Sequence, residues 1–262
     1  TAGNIVMSAG NGVNNVAGIR TLGNVTLVAT GSDIVEAVDS NIRANTLTAS
    51  AVTGLNLDSQ NNRITNLSAT NTASGNITAT NLAGSLLTIT GMSQFAGGSI
   101  IIGADDLDIT GAVNAPGGAV TLRPLTLTRA VHVESANSGS VLSLSPADLA
   151  QVTTGVLQLG RLDGSGDLSI LSSLANTSVN AATLLLVSGN DITLGGGANI
   201  GLGGAEFNHG LELRAANNLQ LTNGNIYLAD NRSLKAYADN DGSALGSVNI
   251  GAGTFKVGAG AG

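Results

Sequence analysis

The strongest constraint in this chain is a short pattern that recurs from end to end: an apolar residue, any residue, then another apolar residue. It appears as Ile5/Met7, Val25/Leu27, Leu55/Leu57, Leu87/Ile89, Ile100/Ile102, Leu107/Ile109, Val120/Leu122, Val131/Val133 and Leu142/Leu144. It continues as Leu157/Leu159, Leu168/Ile170, Ile192/Leu194, Ile200/Leu202, Leu211/Leu213, Leu219/Leu221, Ile226/Leu228, Val248/Ile250 and Phe255/Val257. Such alternation gives strands with one face buried. The spacing predicts strands of about three to five residues. Between them lie corners of Gly, Asn, Asp and Ser, as in Ser8-Ala9-Gly10-Asn11-Gly12, Asn61-Asn62, Gly97-Gly98, Gly189-Asn190-Asp191 and Gly195-Gly196-Gly197. These residues accept the left-handed backbone that sharp turns need.

An all-β array of this kind is a sandwich or a solenoid, and three features favour the solenoid. The strands are shorter than the five or six residues usual in sandwiches. Similar phrases recur about every 20 residues, as in Asn4-Ile5-Val6-Met7 and Asn24-Val25-Thr26-Leu27. Asn is abundant at corners, where stacked coils can align it into hydrogen-bonded ladders. Composition agrees. The chain is 42% hydrophobic with a net charge of only −7, so it should fold. It has five aromatics (Phe95, Phe207, Tyr227, Tyr237, Phe255), too few to fill a globular core. A thin core of Leu, Ile, Val and Ala needs none. The expected fold is therefore all-β: a parallel β-helix (β-solenoid) of roughly 20-residue coils and on the order of 12 turns, residues 1–262 forming a single rod.

One segment departs from the pattern. Ser145-Pro146-Ala147-Asp148 has the N-cap, the first-turn proline and the acid of a capping box. It predicts a short helical insertion near 146–154, with Leu149 and Val152 docked on the rod and Gly155 ending the helix.

Certain phrases resemble the repeat region of filamentous-haemagglutinin-like large exoproteins, bacterial surface proteins exported by two-partner secretion. They are Gly3-Asn4-Ile5-Val6-Met7-Ser8-Ala9-Gly10, Gly23-Asn24-Val25-Thr26-Leu27-Val28-Ala29 and the run from Leu184 to Leu194. The phrase from Ser143 to Gly160 is similar to an insert in such repeats. The resemblance implies a right-handed helix, an extracellular or bacterial cell-surface location, and a role in adhesion or fibre formation. The family's secretion domain, with its Asn-Pro motifs, is not recognisable, which implies an internal or C-terminal stretch. A chain starting at Thr1 without Met agrees with a processed protein or a piece of a longer one.

The side chains offer little chemistry. His132 alternates with Val131 and Val133 and should point outward; His209 lies in a turn; neither has spacing that assembles a triad. Asp105, Asp106 and Asp108 read as a solvated corner, with weak Ca²⁺ binding as the alternative. Asp239-Asn240-Asp241-Gly242 has its glycine misplaced for a calcium loop and reads as a turn. Gly195-Gly196-Gly197 and Gly201-x-Gly203-Gly204 lack the Lys-Ser/Thr of a phosphate loop. The Thr pairs 46/48, 78/80, 88/90 and 126/128 are too irregular for an ice-binding array. No catalytic, cofactor-binding or metal residue is assigned.

The expected function is structural or adhesive, without enzymatic activity: a rod that builds a head-to-tail filament on the bacterial surface. The alternative is a polysaccharide-binding or polysaccharide-cleaving β-helix protein. Residues 1–12 already read as strand and corner, and 247–258 are still strand before the tail Ala259-Gly260-Ala261-Gly262. Open solenoid ends of this kind imply self-association or continuation in a longer chain. A host-cell or glycan receptor is the other expected partner. The ten Lys and Arg look scattered, with no stripe to track phosphates, so nucleic acid is not expected. No apolar run reaches the roughly 20 residues of a membrane span.

Overall fold

A computed structural model describes residues 3–16, 18–95, 97–135, 138–202, 205–243, 245–251 and 254–257. The tail Ala259–Gly262 and the pair Gly203-Gly204 lie outside the described residues. The chain is a β-solenoid of about ten turns, 54% β-strand, mostly parallel, and 3% helix. It falls into two compact units: residues 1–125 with 153–155, and residues 126–152 with 156–262. Among the described residues, no helix is long and apolar enough to cross a membrane.

In the first unit each inward residue sits on its counterpart one coil earlier. One column runs Ile5, Val25, Leu47, Leu67, Ile89, Ile109. A second runs Val13, Ile34, Leu55, Ile77, Ile100, Val120. Apart from Ile5, all of these are buried. Like stacks on like, so the core needs branched aliphatics of one size, not large rings; each fully buried one contributes roughly 1.5–3 kcal/mol. The register advances 20 residues from Ile5 to Val25, 22 to Leu47 and 20 to Leu67.

Coils in the second unit are longer. The column Val131, Leu168, Ile192, Leu219, Val248 advances 24 residues from Leu168 to Ile192, 27 to Leu219 and 29 to Val248. Longer coils explain why about ten turns form where the shorter period predicts about 12. They also enclose Phe207, the largest fully buried side chain.

Several strands are twice the predicted length: Ile42–Ala51, Arg63–Asn71, Leu86–Gln94 and Val113–Arg123. In Ile42–Ala51 the alternation changes phase between Ala44 and Leu47, both inward. Two short arms meet there at a corner, and because neighbouring coils bend together, backbone pairing continues through it. The register of Leu86–Gln94 on Arg63–Asn71 slips between Ile89 and Gly91 at such a corner.

Glycine stacks at one corner. A Cβ on Gly98 would lie 2.0 Å from Gly75 O, one on Gly118 2.1 Å from Gly98 O, and one on Gly155 2.8 Å from Gly118 O. Gly155 is therefore not a helix terminator: it lies in the strand Val152–Arg161 and is small because another coil passes close beneath it. The helix itself is Pro146–Ala150, capped at its C-terminus by Gln151. Its capping box is complete, since Ser145 Oγ accepts from Asp148 N and Ser145 N donates to Asp148 Oδ2. Leu149 and Val152 are buried as expected, and Asn180 Nδ2 ties Ala150 O to the next coil at 2.7 Å.

In three of the apolar pairs, residues that face inward by register are not buried. Met7, Val248, Ile250 and Phe255 are exposed at 39, 51, 53 and 38%. They belong to the first and last coils, which among the described residues pair on one side only. Leu202 is exposed because Gly201, at φ 74°, turns the chain into a small antiparallel bridge with Ala205.

Candidate functional site

The corners carry the polar order. The carboxamide or carboxylate oxygen of one coil accepts the backbone N–H of the next. Asn4 Oδ1 accepts from Asn24 N, Asn76 Oδ1 from Ser99 N, and Asn199 Oδ1 from Asn225 N, whose own Oδ1 accepts from Thr254 N. A fourth run joins Asp167, Asp191, Asn218 and Ser247 through the same contact. Each bond satisfies a backbone donor that a sharp turn takes out of the ladder.

One corner is fully internal. Glu36 and Asn62 are 4 and 0% exposed. Ser40 Oγ donates to Glu36 Oε1 at 3.0 Å, while Ser59 N and Asn62 Nδ2 donate to Oε2 at 3.1 and 2.8 Å. Asn62 Oδ1 in turn accepts from Ile42 N at 2.7 Å. Burial pushes the Glu36 carboxyl above its ordinary range; the hydrogen bonds from Asn62, Ser59 and Ser40 oppose this, and Asp58 adds to it. The site is closed and structural: the donors are all spent.

His132, Glu134 and Ser143 are brought together in the second unit. His132 and Ser143 are direct partners on adjacent strands. His132 Nδ1 lies 3.4 Å from Glu134 Oε2, and Ser143 Oγ donates to Glu134 Oε1 at 2.7 Å. Burial raises the Glu134 carboxyl, but the Ser143 hydrogen bond and the neighbouring His132 outweigh it, and the net shift is downward. These are the residue types of a triad in the wrong order, because the hydroxyl is given to the carboxylate and not to the imidazole. His209 is more enclosed than its turn sequence implies. Its Nδ1 contacts Ala181 O at 2.6 Å, its Nε2 contacts Asn176 O at 3.1 Å, and its ring meets Phe207 edge-on.

The carboxylate cluster is not the solvated corner read from the sequence. Asp105 is 2% exposed, because the turn between Ile100–Gly103 and Asp106–Ile109 tucks it inward; Asp106 and Asp108 are half-buried on the strand face. Among the described residues, no three His, Asp or Glu side chains are placed to hold a metal ion. In the loop from Asp239 to Gly242, Ser243 occupies both acids, donating from N to Asp241 Oδ1 and from Oγ to Asp239 Oδ1. Thr46 stacks between Asn24 and Asn66, and Thr48 between Thr26 and Ser68, so these threonines join mixed columns.

The arginines correct the reading that the basic residues are scattered. Arg20 is the register partner of Arg43, and Arg43 of Arg63. Three of the four arginines in residues 1–125 thus form one outward ladder, all exposed, with successive backbones about 4.8 Å apart. They line a cleft of about 300 Å³ with Asn41, Asn61 and Leu82. Arg20 Nε donates to Asn41 Oδ1 at 3.0 Å. Elsewhere Arg161, Arg214, Lys235 and Lys256 have carboxylate partners; among the described residues no carboxylate pairs with Arg20, Arg43 or Arg63. The signal was in the sequence as two steps of one coil, 23 and 20 residues, which differ enough to hide the alignment until the register is known.

The two terminal coils leave strand edges open. Among the described residues, Ile5–Ala9, Val13–Val16 and Ile19–Arg20 each pair along one edge only. In the second unit the same holds for Leu234–Tyr237, Val248–Ile250 and Phe255–Val257. A scan against family models, a search of curated proteins and a search of solved structures each give no match to this chain.

Proposed function

We propose that this chain is a structural segment of a bacterial surface fibre or adhesin, extended by stacking coil on coil at its open ends. The observation that carries this reading is the state of the terminal coils. Among the described residues their strands pair along one edge only, and their inward residues Met7, Val248, Ile250 and Phe255 remain exposed. A parallel coil of the same kind, from a second copy or from further chain, satisfies both needs at once. Contact between unlike ends does not close on itself, so it propagates as a filament. The resemblance of the repeat phrases to filamentous-haemagglutinin-like exoproteins supports an extracellular setting.

Sedimentation velocity across a range of concentrations, with negative-stain imaging, tests the proposal. The purified chain should form linear assemblies that grow with concentration, and Met7→Asp or Ile250→Asp should shorten them. A monomer at every concentration, with substitutions silent, sinks the reading.

A further inference from the structure

We infer that the Arg20–Arg43–Arg63 ladder is a binding face for an acidic polysaccharide carrying one carboxylate per sugar, a polyuronate. The first ground is cost. Like charges on directly opposed strand positions destabilise a sheet, and here three follow one another without a carboxylate partner among the described residues. In a chain of net charge −7, partners were plentiful. Four of the seven other cations pair with acids, whereas these three are stacked on one another and turned to solvent.

The second ground is fit. Guanidinium groups bind planar carboxylates through two parallel hydrogen bonds. The ladder repeats one such fork per coil and spans about 10 Å, so it suits a linear ligand with regularly repeated carboxylates. Arg20 is oriented by Asn41, the exposed Asn61 amide offers hydrogen bonds to sugar hydroxyls, and half-buried Leu82 gives an apolar surface for a ring face. Among the described residues, the cleft lining has no aromatic side chain on which a base could stack. Single-stranded nucleic acids rely on such platforms, so the saccharide is the better match.

This inference does not rest on end-to-end stacking, since the ladder faces sideways from its coils. Met7→Asp should leave uronate binding intact. The test is calorimetric titration of the full chain with a tri-uronate, its neutral methyl ester and a short oligothymidylate. The tri-uronate should bind, more weakly as salt rises, and the ester should not. Arg43→Gln should weaken binding about tenfold, the loss of one charge-assisted pair. The triple variant Arg20→Gln/Arg43→Gln/Arg63→Gln should abolish it, and Arg123→Gln, outside the ladder, should not change it. All four positions lie on strands, so circular dichroism verifies that each variant stays folded. The inference is overturned if the tri-uronate does not bind, if the ester binds equally, if the oligothymidylate binds more tightly, or if the triple variant still binds.

Discussion

Replacing Asn62 by Asp changes one atom's chemistry at the centre of the internal corner. The acceptor that holds Ile42 N is retained. The amide nitrogen that donates to Glu36 Oε2 at 2.8 Å becomes a carboxylate oxygen facing a carboxylate. With charge centres about 4 Å apart and an effective dielectric of about 20, repulsion is about 4 kcal/mol. The pair escapes by taking up one proton, which restores a donor. For a carboxyl of ordinary pKa that uptake also costs about 4 kcal/mol at neutral pH. Both routes therefore give a loss of about 4 kcal/mol at about pH 7, against a typical total stability of 5–15 kcal/mol. The sign with pH follows. The pair's folded-state pKa lies above the unfolded value, so the folded state binds more protons and stability falls as pH rises through that window. Near pH 4 the deficit against the parent should shrink to about 1 kcal/mol or less. Urea unfolding followed by circular dichroism at both pH values measures this. Adding Glu36→Gln should recover most of the loss at neutral pH, because the repulsion goes with the charge. Equal destabilisation at both pH values, or no recovery in the double variant, would refute the argument.

Other consequences are independent of that corner. Gly98→Ala places a Cβ 2.0 Å from Gly75 O and should cost about 1–3 kcal/mol by overpacking in urea unfolding; a silent substitution would mean the coils are not stacked as described. Arg43→Gln should raise unfolding stability by a few tenths of a kcal/mol to about 1 kcal/mol when no ligand is present, by removing like charge from both neighbours. Ser143→Ala should move the Glu134 carboxyl upward in a residue-resolved NMR titration, since it removes the hydrogen bond that holds it down. Glu134 stabilises the fold above its ordinary pKa, and that contribution is lost as pH falls through the lowered folded value.

The core was legible because its physics is local. Alternation at Val25/Leu27 or Ile100/Ile102 names the inward face, and residues repeated at one coil's spacing must stack. The capping box at Ser145 was equally local. What escaped depends on register. Strand length could not be read, because Ala44 and Leu47 change phase at a corner that pairing crosses. The end of the helix was misplaced at Gly155, whose smallness answers to Gly118 on another coil and not to its sequence neighbours. The arginine ladder needs the register of three coils. The inward position of Glu36 is legible in the sequence, since it follows Ile34 by two positions in the strand Ile34–Glu36. Asp105 shows the converse, a corner residue that sequence assigns to solvent and the turn turns inward.

The proposed fibre extends at terminal strands that, among the described residues, pair along one edge only. Residue-resolved amide hydrogen exchange as a function of protein concentration tests this most directly. In Ile5–Ala9, Val13–Val16, Val248–Ile250 and Phe255–Val257, amides should exchange fast in dilute solution and become protected as concentration rises. Amides of Ile42–Ala51 should stay protected throughout. Terminal amides as protected as interior ones at every dilution, or unprotected at every concentration, would contradict it.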